Sequence, residues 1–328
     1  MKMEIKEECM RRALELARYG YGHVSPNPMV GCVIEHNGKI IGEGWHRRFG
    51  EAHAEVNAVR SVADRFVLPE CTLYVTLEPC AHYGKTPPCA DMIAESGVRR
   101  VAVGTVDPFS KVAGAGIRRM QEAGIEVVTG VLGDECRELN RRFFTAHTLR
   151  RPYIMLKWAQ DAAGNMASSS GKRIRFSNLQ TQMLVHSLRA GFDAVITGAG
   201  TVNADNPRLD NRLAPGNSPR AVVLDRRGLA GRDSAVFGRE GTLAIGSDAP
   251  LADILDGLYE DYSVTSALVE AGPTLLRSFL EAGLWDECRI ETAPRITEAD
   301  IPAPEAPRGV LVSSRAAGGN LINLYRKK

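Results

Sequence analysis

Net charge is almost missing from this sequence: 41 Lys and Arg against 39 Asp and Glu leave +2 over 328 residues. Aromatic residues are scarce as well, at 6%. Single-stranded nucleic-acid binding calls for a basic groove and stacking rings, so no nucleic-acid partner is expected. No apolar run is long enough for a membrane-spanning helix, so no membrane partner is expected. The opening Met1–Arg12 carries Lys2, Glu4, Lys6, Glu7 and Glu8 where an export signal would be apolar. The seven cysteines (Cys9, Cys32, Cys71, Cys80, Cys89, Cys136 and Cys288) are an odd set scattered along a long chain. The expectation is reduced thiols in the cytoplasm, some of them metal ligands, in place of a disulfide framework.

What is present is an ordinary globular composition, 44% hydrophobic and 24% charged. The length exceeds the usual domain of roughly 150 residues enough to predict two cores. Apolar residues recur at helical spacing from Glu4 to Tyr19 and stop at Gly20. Apolar runs at Val30–Glu35, Leu73–Thr76, Val101–Val103 and Ile125–Thr129 predict strands, and His53–Val62, Ala90–Ser96 and Gly116–Ala123 predict helices between several of them. That alternation predicts a three-layer α/β unit. The pattern breaks around Ala146–Pro152, which sets the domains at residues 1–147 and 148–328. Beyond it, strands at Tyr153–Trp158, Ala194–Thr197, Ala221–Leu224, Thr242–Ile245 and Ala267–Val269 alternate with helices at Asn178–Arg189 and Thr274–Ala282. A second α/β unit with a mainly parallel sheet follows.

The first half carries His53-Ala54-Glu55, then Thr76-Leu77-Glu78-Pro79-Cys80, then Gly84-Lys85-Thr86-Pro87-Pro88-Cys89. One imidazole and two thiolates hold three corners of a tetrahedral zinc site and leave the fourth to water, which separates a catalytic site from a closed structural one. Glu55, a carboxylate outside that ligand set, suits proton transfer from the water to a departing amine, as in the zinc nucleobase deaminases. Residues two apart on a helix diverge, so periodicity alone does not bring His53 and Glu55 to one metal. Two other readings stand beside this one. An editing deaminase acting on tRNA or single-stranded nucleic acid is disfavoured by charge and aromatic content, and a zinc-stabilised binding protein with a degenerate second half is disfavoured by Glu55.

Eight residues separate Cys80 from Cys89, a wider spacing than in most cytidine and tRNA deaminases. With Pro26-Asn27-Pro28-Met29-Val30-Gly31, Gly42-Glu43-Gly44-Trp45-His46 and Val112-Ala113-Gly114-Ala115-Gly116, this spacing resembles the bifunctional deaminase/reductase family of riboflavin biosynthesis. The resemblance continues through Thr201-Val202-Asn203-Ala204-Asp205-Asn206-Pro207-Arg208-Leu209-Asp210-Asn211-Arg212. It implies a cytidine-deaminase-like domain followed by an α/β domain like dihydrofolate reductase. The implied substrate is a small phosphoribosyl pyrimidine, which is first deaminated; NADPH then reduces its ribosyl group to ribityl. It further implies one zinc per chain on His53, Cys80 and Cys89, Glu55 as the catalytic acid/base, and deaminase substrate contacts at Asn27, His46, Lys85, Thr86 and Asp107. In the second half it implies substrate contacts at Arg189, Leu209, Arg212 and Glu270, and NADPH contacts at Lys157, Arg175, Thr201, Asp205, Gly272, Pro273 and Thr274. A homo-oligomer, dimer or tetramer, is also expected.

The chain departs from the family at three places. Phe109 stands where the family has Asn, Asp161-Ala162-Ala163-Gly164 replaces Ser-Leu-Asp-Gly, and Arg173-Ile174-Arg175 replaces Ser-x-Trp. The planar guanidinium of Arg175 is expected to stack on a ring, with Arg173 adding charge near the 2′-phosphate of NADPH. A deaminase with a non-catalytic C-terminal domain is the alternative that these departures leave open.

Overall fold

Strands covered on both faces read as continuous apolar runs, and their side chains divide by parity between two cores. In the computed structural model, which describes residues 5–81, 87–109 and 113–328, the first sheet behaves in this way. It is five-stranded, in the order β2-β1-β3-β4-β5, with β1 Gly31–His36, β2 Lys39–Trp45, β3 Thr72–Leu77, β4 Arg100–Thr105 and β5 Glu126–Thr129. Cys32, Ile34, Leu73, Val75, Val101 and Val103 point to one face, where they meet Ala54, Ala58 and Val59 of α2 (Ala54–Ser61), Ile93 of α3 (Cys89–Glu95) and Met120 of α4 (Ala115–Glu122). Val33, Tyr74 and Ala102 point to the other, against Met10, Ala13 and Leu14 of α1 (Glu7–Arg18) and Cys136 of α5 (Gly133–Leu139). The expected three-layer architecture results. α6 (Arg141–Leu149) ends this unit, and the chain divides into Met1–Leu149 and Arg150–Lys328.

The second unit repeats the logic on an eight-stranded sheet ordered β10-β9-β8-β11-β6-β12-β15-β14. Its strands are β6 Tyr153–Gln160, β8 Ala194–Gly198, β9 Arg220–Leu224, β10 Leu243–Ile245, β11 Ser266–Glu270, β12 Glu287–Thr292, β14 Val310–Ala317 and β15 Asn320–Arg326. The run from β10 to β12 is parallel, and β15 and β14 close it antiparallel. Ile154, Leu156, Ile196 and Val269 face Leu255 and Leu258 of α9 (Leu251–Glu260) and Leu276 and Phe279 of α10 (Pro273–Glu281). Tyr153, Met155, Val195 and Leu268 face the opposite core, which takes in Val202 of α8 (Ala199–Asp205) and Leu188 of α7 (Leu179–Ala190). A short pair, β7 (Asn165–Ala167) with β13 (Ile301–Pro302), stands apart from this sheet. No helix among the described residues is long and apolar enough to cross a membrane.

The elements that the sequence reading omits have physical reasons for their weak signal. β2 contains Gly42 and Gly44, residues that disfavour strands. A Cβ on Gly44 would lie 2.3 Å from the Ala58 nitrogen and 2.4 Å from the Ala54 carbonyl oxygen, so glycine is what lets α2 lie directly on this strand. β14 is exposed along seven of its eight residues, so burial imposes no apolar alternation on it.

Candidate active sites

His53 is the N-cap of α2, in an extended conformation (φ −71°, ψ 169°), and its ring therefore lies outside the helical path. Glu55 occupies the first turn, where the positive helix end suits a carboxylate. This answers the divergence problem raised by ideal helix spacing, because only one of the two residues is on the helix. Cys80 leaves the end of β3 through Glu78-Pro79, and Cys89 opens α3 after its N-cap Pro88. His53 Nδ1 lies 3.7 Å from the Cys80 sulfur and 3.3 Å from that of Cys89. The three donor atoms all fall within 4.8 Å of one another. A borderline-soft donor set of one nitrogen and two sulfurs fits zinc with an open position. Hydrogen bonding from Cys89 lowers the Cys80 thiol against the opposing effect of burial, with help from His53. Burial pushes the Glu55 carboxyl up, against the influence of His53.

His53, Glu55 and Cys80 line one cleft of about 430 Å³, together with Asn27, His46 and Asp107. His46 Nδ1 lies 3.2 Å from the Ala52 carbonyl and its Nε2 lies 3.1 Å from Asn27 Nδ2. A neutral imidazole that donates from Nδ1 and accepts at Nε2 satisfies both contacts, and burial, by lowering the His46 pKa, favours that form. Asp107 accepts the Phe109 N–H through Oδ1 at 2.8 Å. The other two expected substrate residues, Lys85 and Thr86, lie outside the described residues.

Sequence reasoning gave no role to Glu78, which is only 4% exposed. Its carboxylate accepts the N–H groups of Asp107 (3.2 Å), Gly114 (2.9 Å), Gly116 (2.9 Å) and Ile117 (3.3 Å), so it satisfies the open N-terminus of α4. The segment that bears Cys80 is thereby tied to the loop that bears Asp107. A carboxylate immediately before a Pro-Cys step was the available signal. Sequence reading also passed over Phe143 and His147 of α6, which complete the cleft wall.

In the second unit the register of neighbouring parallel strands gathers the charged residues. Register sets Glu270 of β11 beside Lys157 of β6, and Lys157 beside Arg289 of β12. Arg189 reaches Glu270 with Nε at 2.6 Å and Nη2 at 3.0 Å, and its Nη1 donates to the Asp210 carbonyl at 2.9 Å. Lys157 Nζ is 3.9 Å from Glu270 Oε2. Burial raises the Glu270 carboxyl, but Arg189 and Lys157 outweigh it and bring it down to about 2. Burial lowers the Lys157 ammonium, and Glu270 opposes that shift. Arg212 pairs with Asp210, and its N–H donates to His186 Nδ1 at 3.1 Å. Leu209 is buried between these arginine contacts with φ 54°, a conformation that costs energy in a branched residue.

β8 and β11 are parallel neighbours, and each runs into a helix, α8 and α10. Gly272 is the N-cap of α10, Pro273 opens that helix and Thr274 follows, and the Gly272 N–H donates to Thr201 Oγ1 at 2.9 Å. Helix starts outside the carboxyl ends of parallel strands are where dinucleotide phosphates bind, so the site fits such a cofactor. Burial raises the Asp205 carboxyl and Arg173 lowers it in part. Arg173 is thus the arginine that acts on Asp205, while Arg175 stands exposed on the neighbouring irregular segment. Asp161, one of the departures, is a loop staple: its carboxylate accepts the Ala163, Asn165 and Thr297 N–H groups. The sequence reading omitted Arg289 and Glu291, both buried, with Arg289 Nη1 and Glu291 Oε2 3.7 Å apart.

Comparison with known proteins bears on both sites. Residues 3–105 match the cytidine and deoxycytidylate deaminase zinc-binding region, and residues 152–301 match the RibD C-terminal domain. The riboflavin biosynthesis protein RibD of Aquifex aeolicus is 37% identical, covering 90% of this chain and 89% of that protein. That of Escherichia coli K12 is 36% identical over the same shares. Among solved structures, Acinetobacter baumannii RibD superposes with a TM-score of 0.91 at 33% identity, covering 98% of each chain. A Thermotoga maritima diaminohydroxyphosphoribosylaminopyrimidine deaminase/5-amino-6-(5-phosphoribosylamino)uracil reductase gives 0.87 at 34%, with the same coverage. Matches of this extent over both halves favour the two-activity reading over a lone deaminase, and the chain belongs to the RibD family of riboflavin biosynthesis, which joins a deaminase domain to a reductase domain.

Proposed function

We propose that the first domain, 1–147, hydrolyses the amino group of 2,5-diamino-6-(5-phosphoribosylamino)pyrimidin-4-one. The second, 148–328, then reduces the ribosyl group of the deaminated product to ribityl with NADPH. The observation that carries the first step is the convergence of His53 Nδ1 and the Cys80 and Cys89 sulfurs beside the buried Glu55. His53, Cys80 and Cys89 would hold one zinc, which when bound would acidify a water to a pKa of about 7 and so supply the nucleophile. Glu55 takes up the proton and delivers it to the departing ammonia, a role that suits a carboxyl whose proton affinity burial has raised. Asn27, His46 and Asp107 orient the base, and Lys85 and Thr86 hold the ribose phosphate by charge and hydrogen bonding.

For the reduction, NADPH supplies the hydride. Lys157, Thr201, Asp205, Arg175 and the Gly272-Pro273-Thr274 turn hold the nucleotide, with Arg173 adding charge beside Asp205. Leu209, Arg212 and Glu270 meet the substrate. Arg189 meets the substrate as well: three of its five N–H donors hold Glu270 and the Asp210 carbonyl, and the other two serve the substrate phosphate. Seven free cysteines support a reducing, cytoplasmic setting. The exposed Val310, Leu311 and Val312 on the edge strand β14 support a homo-oligomer, dimer or tetramer. Incubation of the purified protein with the diaminopyrimidinone phosphate, with and without NADPH, tests the proposal by product mass. Ammonia and the uracil compound are expected without nucleotide, and the ribityl compound only with it. Deamination with no nucleotide consumed would leave the second activity unsupported.

A further inference from the structure

The deaminase cleft has an aromatic wall for which the metal centre gives no reason. The match to the zinc-binding deaminase region ends at residue 105, yet part of the wall comes from α6, well beyond it. Phe143 and His147 are one helical turn apart on α6 and meet edge to face, with ring centroids 4.3 Å apart and planes at 72°. His147 meets Phe109 in the same way, at 5.2 Å and 65°. All three rings line the cleft that holds Asn27, His46, Glu55 and Cys80. Phe109 is fixed by its backbone too: its N–H donates to Asp107 Oδ1 at 2.8 Å, and its carbonyl accepts the Ala113 N–H at 3.0 Å. Phe109 also stands where the family resemblance expects a polar Asn.

We infer that Phe109, buttressed edge-on by His147, is a specificity-determining stacking surface for the planar pyrimidine in the deaminase cleft, taking by face contact what the expected Asn would take by hydrogen bonding. The chemistry favours this exchange. A pyrimidinone with two amino groups is a flat, polarisable ring that gains from contact with an aromatic face whatever its edge substituents. The edge-to-face contacts among Phe109, His147 and Phe143 hold the phenyl ring in place before substrate arrives, so little side-chain entropy remains to be lost on binding. Burial lowers the His147 pKa and keeps this buttress uncharged at neutral pH. A stack on the ring face holds substrate and transition state to similar extents, so its removal appears in KM and leaves kcat in place.

The inference rests on the deaminase reading, and the test separates the two. KM and kcat for ammonia release are measured for the wild type, Phe109→Leu, Phe109→Asn, Phe109→Tyr and His147→Leu. Zinc content and thermal midpoint are recorded for each. The dissociation constant of the intact diaminopyrimidinone phosphate is measured on Glu55→Gln, with and without Phe109→Leu. The expected result is a KM and a dissociation constant raised about tenfold in both Phe109→Leu and Phe109→Asn, as loss of one base stack implies. kcat should stay within about twofold, Phe109→Tyr should resemble the wild type, and His147→Leu should show a smaller rise in KM. Phe109→Asn with an unchanged or lower KM would overturn the inference, as would a dissociation constant indifferent to Phe109→Leu. A fall in zinc content parallel to the loss would show a merely structural role and overturn it as well. Ring binding that depends on Phe109 in a wild type that releases no ammonia would overturn the deaminase reading alone.

Discussion

At the scale of single residues, metal retention and proton transfer are separable because they fall on different side chains. Glu55→Ala is expected to keep its zinc, measured by metal analysis, while ammonia release falls by roughly two orders of magnitude or more, the usual worth of a general acid/base. Cys80→Ser is expected to lose most of the metal, since a hydroxyl is a poor replacement for a thiolate. Gly116→Ala tests the frame behind the ligands. A Cβ at position 116 would stand 2.0 Å from the Pro79 carbonyl oxygen and 3.3 Å from Glu78 Oε1. The first neighbour is backbone and the second is held by four N–H groups, so the Glu78-Pro79-Cys80 segment must shift. Weaker zinc retention under chelator than in the wild type is the expected outcome, and unchanged retention would separate that segment from the metal site.

At the scale of elements, the register of parallel strands sets Glu270, Lys157 and Arg289 side by side, and charge accumulates there. Glu270 is the case with a clear pH signature. Its carboxyl lies near 2 in the folded chain, against about 4.3 for a free glutamate. A depressed folded pKa contributes stability that is fully present above the unfolded value and is lost as pH falls through the folded one. The urea midpoint, read by tryptophan fluorescence, is therefore expected to drop between about pH 4 and pH 2. Glu270→Gln leaves Arg189 and Lys157 without their carboxylate, which costs roughly 3–5 kcal/mol at neutral pH. Its midpoint should start lower and converge on the wild type in acid. Parallel midpoint curves for the two proteins would show that Glu270 is not the group titrating.

At the scale of the whole molecule, the two units have their own sheets and cores, and the proposed chemistry divides between them. Cys80→Ser should abolish ammonia release yet still oxidise NADPH when given the deaminated compound. Glu270→Gln should release ammonia at the wild-type rate and fail to oxidise NADPH. Loss of both activities in either variant, with the fold intact by circular dichroism, would contradict that division.

Much of this was readable in the chain itself. Strands buried on both faces spell themselves out as Val75-rich or Ile196-rich apolar runs, so the alternation and the two sheets were visible. Residue chemistry exposed the His53, Glu55, Cys80 and Cys89 set, because few functions other than metal catalysis call for these types together. Other features depended on contacts between distant segments. His53 lies 27 residues from Cys80 and 36 from Cys89, and only the packing of α2 and α3 on one sheet closes those distances. Sequence spacing could not show that Glu78 caps α4, that Arg189 is committed to Glu270, or that Arg289 and Glu291 are buried together. Each is a polar residue whose partner is set by strand register or helix placement, and a polar residue read alone looks the same whether solvated or paired. The sequence by itself determined the ligand types and the layered architecture, since both follow from side-chain chemistry and hydrophobic period. Tertiary structure alone decided which polar groups meet and which aromatic rings line the cleft, because those contacts join elements whose separation in the chain carries no distance information.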